Sequence, residues 1–162
     1  EALSNDLARA INRSASEARR WIESAFYPTF VRMMSFMWSP SRDITGTVGS
    51  LSRRGIQCAV LSDYAMVPQR LVGLGIDPAV FELTASSETE GALKPHPRPF
   101  LNIAEQMAVD PRSVLVVGDR VDTDGEAAAA AGMPCLQIAH RPRRGSTVAG
   151  WPEIRSNLLD LR

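Results

Sequence analysis

Val114-Leu115-Val116-Val117-Gly118-Asp119-Arg120-Val121-Asp122-Thr123-Asp124, followed by Gly125-Glu126 and the alanines 127 to 131, is the stretch that decides the fold. It opens with a short apolar, β-branched run from Ser113 to Val117, as in a strand buried on both faces. A Gly-Asp pair stands at its carboxyl end. Two further carboxylates come next, then an alanine-rich helix ended by Gly132. Ligands of open α/β sheets gather at the carboxyl ends of the strands. Asp119, Asp122 and Asp124 therefore fall where chemistry would be done. Carboxylates five residues apart across a turn suit a hard, oxygen-seeking cation such as Mg²⁺.

Working outward, the same texture repeats. Apolar strand-like runs at 56–61, 80–85 and 135–139 alternate with helical patterns. Those patterns begin at Ser41 (a candidate N-cap, with Ile44, Val48 and Leu51 on one stripe and Gly55 closing) and recur at 67–74, 97–108, 126–131 and 153–161. Alternation of this kind predicts a Rossmann-like, doubly wound parallel sheet with crossover helices. Residues 1–40 differ. Leu3, Leu7, Ile11, Ala15, Ala18, Ile22 and Phe26 recur at helical spacing over 3–26, Pro28 breaks the pattern, and a second apolar helix is predicted over 29–38. This gives a helical cap segment at 1–40 and an α/β core at 41–162.

Two more polar points fall on the same predicted rim. Ser62 and Asp63 follow the strand that ends at Leu61. Lys94 stands in Gly91-Ala92-Leu93-Lys94-Pro95-His96-Pro97, just before a helix, and is the one lysine among 18 Lys and Arg residues. A compact ammonium retained in an arginine-rich chain suggests a role that a planar guanidinium cannot fill. Beside the carboxylates it could neutralise a phosphate. A hydroxyl, an ammonium and a cluster of carboxylates then converge at the strand ends.

Composition narrows the class. Hydrophobic residues make up 44% of the chain and the net charge is zero, which leaves no electrostatic footprint for nucleic acid. The basic cluster Arg141, Arg143 and Arg144 reads as a solvated loop. Cys58 and Cys135 lie in strand-like runs and read as buried packing thiols, consistent with a reducing cytoplasmic compartment. No run is long enough to span a membrane, and no secretory signal is visible.

The three polar points, in this order, resemble the haloacid dehalogenase superfamily on its phosphatase side. Leu61-Ser62 matches that family's second motif, Lys94-Pro95-His96-Pro97 its third, and Val114 to Met133 its fourth. The resemblance covers roughly 41–140, with the preceding helices where a first-type cap would lie. It implies that Ser62, Asp63 and Lys94 bind the transferring phosphoryl group of a small phosphorylated metabolite. It also implies that Asp119 ligates Mg²⁺, with Asp124 as a second ligand or a buttress. Asp63 stands where many members have Asn, and Gly125 where an aliphatic residue is common.

The family's first motif, a strand ending in the nucleophilic Asp, has no counterpart before Leu3. Asp6 and Asp43 do not follow an apolar strand. The family's first strand is central, and its loss would leave both neighbours with unpaired backbone groups. The chain also begins at Glu1 rather than Met. The strand is therefore expected from an upstream segment or another chain, and the isolated 162 residues are expected to be inactive. The alternatives are a non-catalytic binding or regulatory relative and a metal-independent dehalogenase; the acidic fourth motif speaks against the latter.

Overall fold

The computed structural model describes residues 2–36, 41–138 and 150–160. The expected cluster at Arg141, Arg143 and Arg144, together with Met37, Trp38 and Ala139, lies outside those residues.

The first segment is helical but is not the single helix predicted over 3–26. It comprises α1 (Ala2–Ala10), α2 (Ala15–Trp21) and α3 (Tyr27–Met34), the last two joined by a π-turn at Ile22–Phe26. Asn12 takes a left-handed φ of 53°. Ser14 then closes a capping box: its Oγ accepts from Glu17 N at 3.2 Å, and its own N–H donates to Glu17 Oε2 at 3.0 Å. A Ser-x-x-Glu cap satisfies two orphan donors and starts a new helix, which outweighs the apolar spacing running through it. Pro28 does not end the helical run either. It stands in the first turn of α3, where a proline is tolerated, and the wider π-turn eases the ring's clash with the preceding carbonyls.

The rest alternates: α4 (Ser41–Ser52), β1 (Ala59–Ser62), α5 (Val67–Gly73), β2 (Leu83–Ser86), α6 (Arg98–Gln106), β3 (Val116–Gly118), α7 (Glu126–Ala130), β4 (Cys135–Gln137) and α8 (Trp151–Asp160). Every observed strand is shorter than its predicted run. Strand β1 begins three residues late because Cys58 N–H is taken by the Glu82 carboxylate at 2.7 Å rather than by a ladder partner. β1 pairs with β2 and β3 with β4, both parallel. Among the described residues these pairs form two separate two-stranded sheets.

A second departure concerns burial. β3 is not buried on both faces as predicted: Val116 is 7% exposed, but Leu115 and Val117 flanking it are each 39% exposed. The thiols depart as well, since Cys58 is half-buried and Cys135 exposed, and both are free. Strand and helix are nevertheless well joined. Phe100 and Ala104 of α6, Val116 of β3 and Ala127 and Ala128 of α7 share one core. Alanines at 127 and 128 are fully buried, because only a methyl fits so close an approach. A second cluster packs Val67 and Leu71 of α5 with Ile76, against Ile44 and Val60. Gly132, at φ 72°, supplies the left-handed step after α7, and Met133 N–H then reaches back to Ala128 O at 2.9 Å.

The helical segment docks on α5. Gly73 makes this possible: a Cβ there would stand 3.0 Å from Val31 O and 3.2 Å from Met34 Cβ. Among the described residues no helix is long and apolar enough to cross a membrane.

Candidate functional site

Lys94 lies on the loop between β2 and α6, preceding Pro95 across a cis peptide bond. Its side chain is 10% exposed, and Nζ donates to Asp124 Oδ1 at 2.7 Å. Asp63 Oδ2 lies 3.7 Å from the same Nζ. The ammonium thus joins the two strand pairs, since Asp63 follows β1 and Asp124 follows β3.

Asp124 is held by its own loop. The π-turn Val121–Gly125 wraps the chain back, and Arg120 N–H donates to Asp124 Oδ2 at 3.3 Å. The carboxylate rests on Gly118. A Cβ at that position would stand 2.5 Å from Asp124 Cβ and 2.6 Å from Oδ2, so no side chain fits. The Gly of the Gly-Asp pair is therefore required by the carboxylate six residues on, and the strand must end there. Asp119 follows on the exposed side of the rim.

Asp122 does not join them. Its carboxylate is forked by Arg120, with Nε 3.0 Å and Nη2 2.5 Å from the two oxygens, and this hydrogen bonding holds its pKa below the usual carboxylate range. The bidentate geometry of the i, i+2 pair takes that carboxylate for an exposed ion pair. His96 also stays local, its Nδ1 accepting from Arg98 N–H at 3.1 Å.

Ser62 ends β1 and Ser62 O accepts from Ser87 N–H at 2.8 Å, extending the ladder with β2. Its Oγ accepts from Arg70 Nη1 at 2.7 Å. Arg70, on α5, carried no sequence signal: a lone arginine on a helix is ordinarily a solvated surface residue. Its guanidinium lies 4.8 Å from the centre of the Phe30 ring of α3, and Phe30 also meets Tyr64 edge-on at 5.9 Å. Tyr27 of α3, 3% exposed, donates its hydroxyl hydrogen to Glu88, and Ala65 N–H donates to that hydroxyl at 3.2 Å. Burial, followed by the hydrogen bond to Glu88, pushes the Tyr27 pKa up to about 12. Of the helical segment at 1–40, then, Tyr27 and Phe30 meet the α/β region, while Met33 and Phe36 are exposed.

The donors suit Mg²⁺ chemically. Asp119 and Asp124 offer carboxylate oxygens, and Mg²⁺ is usually held by one or two carboxylates, with waters and substrate oxygens completing the octahedron. Asp63 Oδ1 is buried without a hydrogen-bond partner, an acceptor that a bound group could engage. Among the described residues no set of three or more His, Cys, Asp or Glu side chains forms a ready cage.

A family model described as haloacid dehalogenase-like hydrolase matches residues 8–132. A glyceraldehyde 3-phosphate phosphatase of Methanopyrus kandleri is 33% identical over 108 residues, which cover 65% of this chain and 44% of that protein. A phosphoglycolate phosphatase of Escherichia coli is 29% identical over 107 residues, covering 65% and 42%. The chain thus spans less than half the length of these curated relatives. A HAD phosphatase structure from Thermococcus onnurineus superposes with a TM-score of 0.68 at 21% identity, covering 97% of this chain and 86% of that one, a likeness of fold.

Proposed function

The chain belongs to the haloacid dehalogenase-like hydrolases, and on that premise we propose that it forms the cap, residues 1–40, and most of the core, residues 41–162, of a cytoplasmic Mg²⁺-dependent phosphoester hydrolase. Its substrates would be small phosphorylated metabolites, as the phosphatase names of its relatives suggest. The observation that carries the reading is Lys94, a largely buried ammonium, 10% exposed, 2.7 Å from Asp124 and 3.7 Å from Asp63. A cation held between carboxylates of both strand pairs is suited to bind a dianion beside a metal.

Each side chain then has a distinct task. Ser62 Oγ donates to a phosphoryl oxygen. Lys94 neutralises phosphoryl charge and keeps the carboxylates in register. Asp63 orients Lys94 at the rim of the phosphate subsite. Asp119 and Asp124 are the residues that would hold Mg²⁺, which when bound would add positive charge against the phosphoryl oxygens.

The nucleophilic carboxylate is assigned to a segment outside these residues, either upstream or on a second chain. The support is the division of the sheet: β1 and β3 fall in different strand pairs, and Leu115 and Val117 beside that division remain 39% exposed. A further parallel strand between the pairs would satisfy the facing backbone groups and flank these side chains.

Hydrolysis of an aryl phosphate by the full-length protein, followed against Mg²⁺ concentration, tests the reading. Asp119→Asn should raise the Mg²⁺ requirement sharply, and unchanged activation would remove Asp119 from the metal site. Residues 1–162 alone should leave the ester intact. Robust turnover by the isolated chain, lost on a substitution within it, would place the nucleophile here after all.

A further inference from the structure

Arg70 is a half-buried guanidinium without a carboxylate partner among the described residues. Its Nη1 makes two hydrogen bonds, to Ser62 Oγ at 2.7 Å and to Tyr64 O at 3.1 Å. Its Nε is buried with no acceptor. The Phe30 ring of the helical segment lies 4.8 Å from its centre and shields it from water. A desolvated charge with an unfilled donor is costly unless something nearby compensates it. The group it touches most closely is the hydroxyl at the carboxyl end of β1.

We propose that Arg70 is a positioning residue of the phosphoryl subsite, which orients the Ser62 hydroxyl and lends it an uncompensated positive charge that favours a dianionic ligand. The inference rests on the assignment of Ser62 and Lys94 to phosphate binding. The geometry works as follows. A serine oxygen has two lone pairs and one hydrogen. With its lone pairs facing Arg70 Nη1–H at 2.7 Å and Tyr64 N–H at 3.4 Å, the O–H is directed away from both donors and serves as donor to a ligand. A dianion accepting that hydrogen lies one atom beyond Arg70. It gains Coulomb attraction less screened than at a fully exposed charge, because the guanidinium is half-buried over the Phe30 ring. Phe30 belongs to α3, so the charge also depends on the docking of the helical segment. That segment therefore contributes to phosphate affinity without touching the ligand.

The test is calorimetric titration of inorganic phosphate, in the presence of Mg²⁺, into the full-length protein and its variants, with melting temperature recorded for each. Arg70→Met should weaken phosphate binding by about tenfold, the size expected for removing one charge-assisted contribution. Arg70→Lys should recover part of that loss. Arg70→Gln keeps a donor for Ser62 but not the charge; it should also bind more weakly and serves if methionine unfolds the chain. In a Ser62→Ala background the effect of Arg70→Met should shrink to about twofold or less, since the action runs through that hydroxyl. In turnover, KM should rise more than kcat falls.

Equal weakening in the Ser62 and Ser62→Ala backgrounds would overturn the inference, as would phosphate affinity unchanged in both Arg70→Met and Arg70→Gln. Lys94→Met separates the two levels. If it too leaves phosphate binding intact, the phosphate-site assignment itself fails. If it abolishes binding while the Arg70 variants bind normally, only the role of Arg70 falls.

Discussion

The two strand pairs hold their polar groups by different means. On the β3–β4 side the support, Lys94 apart, is local. Gly118, Arg120 and Asp124 lie within seven residues, and the turn between them fixes the carboxylate by a backbone hydrogen bond and a close approach no side chain could share. On the β1–β2 side the support is distant. Ser62 is held by Arg70 from the next helix, Arg70 is covered by Phe30, and the segment carrying Phe30 is fastened by Tyr27 to Glu88, 61 residues away. A metal site profits from the first arrangement, because its ligands should not move. A phosphate subsite built the second way can respond to the position of the helical segment. Lys94 is where the two meet.

Removing the junction should have the largest effect. Lys94→Met leaves Asp124, whose side chain is 11% exposed, as a buried carboxylate without its ammonium. The expected loss of stability is ~3–5 kcal/mol, read from urea unfolding. Activity should vanish with it. Lys94→Arg should also be inactive, because a planar fork does not fit a point contact between two carboxylates. A fully active arginine variant would show that the ammonium is only a tether.

Tyr27→Phe probes the distant support. It removes a hydrogen bond to the Glu88 carboxylate and should cost roughly 1.5–3 kcal/mol in chemical unfolding. The tyrosine also has a pH signature. Its pKa is raised above the ordinary value of 10.0 to about 12 in the folded chain, so folding favours the protonated phenol. That contribution is complete below pH 10 and is lost as pH rises through about 12. The wild type should therefore lose more melting temperature over that window than Tyr27→Phe does. Parallel curves for the two proteins would remove Tyr27 from the account.

Gly118→Ala tests the local support. The added Cβ meets the Cβ and carboxylate of Asp124, so the turn must shift, at a cost of about 1–3 kcal/mol. Mg²⁺ affinity should fall more than phosphate affinity does. The smallest effect belongs to Met33, which is 59% exposed on the helical segment. Met33→Ala should change unfolding free energy by less than about 0.5 kcal/mol. A change in the ranking of phosphate esters by that variant would extend the helical segment's role from docking to substrate choice.

These differences also explain what the sequence made legible. The closeness of Gly118 and Asp124 could be read because it is short-range and confined to one strand-turn-helix unit. Ser62 and Lys94 could be read because each stands beside a recognisable strand end or proline pair, and the fold brings Lys94 to both Asp63 and Asp124. Asp122 has the same residue type and the same neighbourhood, yet Arg120 claims it, a competition that spacing does not reveal. The pairings of Arg70 with Ser62 and Phe30, and of Tyr27 with Glu88, are not legible in the sequence for a related reason. The partners lie on other elements, and a single arginine or tyrosine on a helix has no periodic signature. The break at Asn12 was legible in principle. Ser14-x-x-Glu17 is a helix start, and the apolar spacing through Ile11 and Ala15 concealed it. The exposed Leu115 and Val117 mark where burial was inferred from residue type alone, without knowing what lies beside β3.

In the proposed function Lys94 makes one site of two strand pairs, with phosphate on one side and metal on the other. Titrating inorganic phosphate into the full-length protein, with and without Mg²⁺, tests it most directly. Phosphate affinity should be at least about tenfold higher with Mg²⁺, a coupling of the size that adjacent sites show, and both binding and coupling should be lost in Lys94→Met. Phosphate binding that is indifferent to Mg²⁺ and undiminished in Lys94→Met would contradict it.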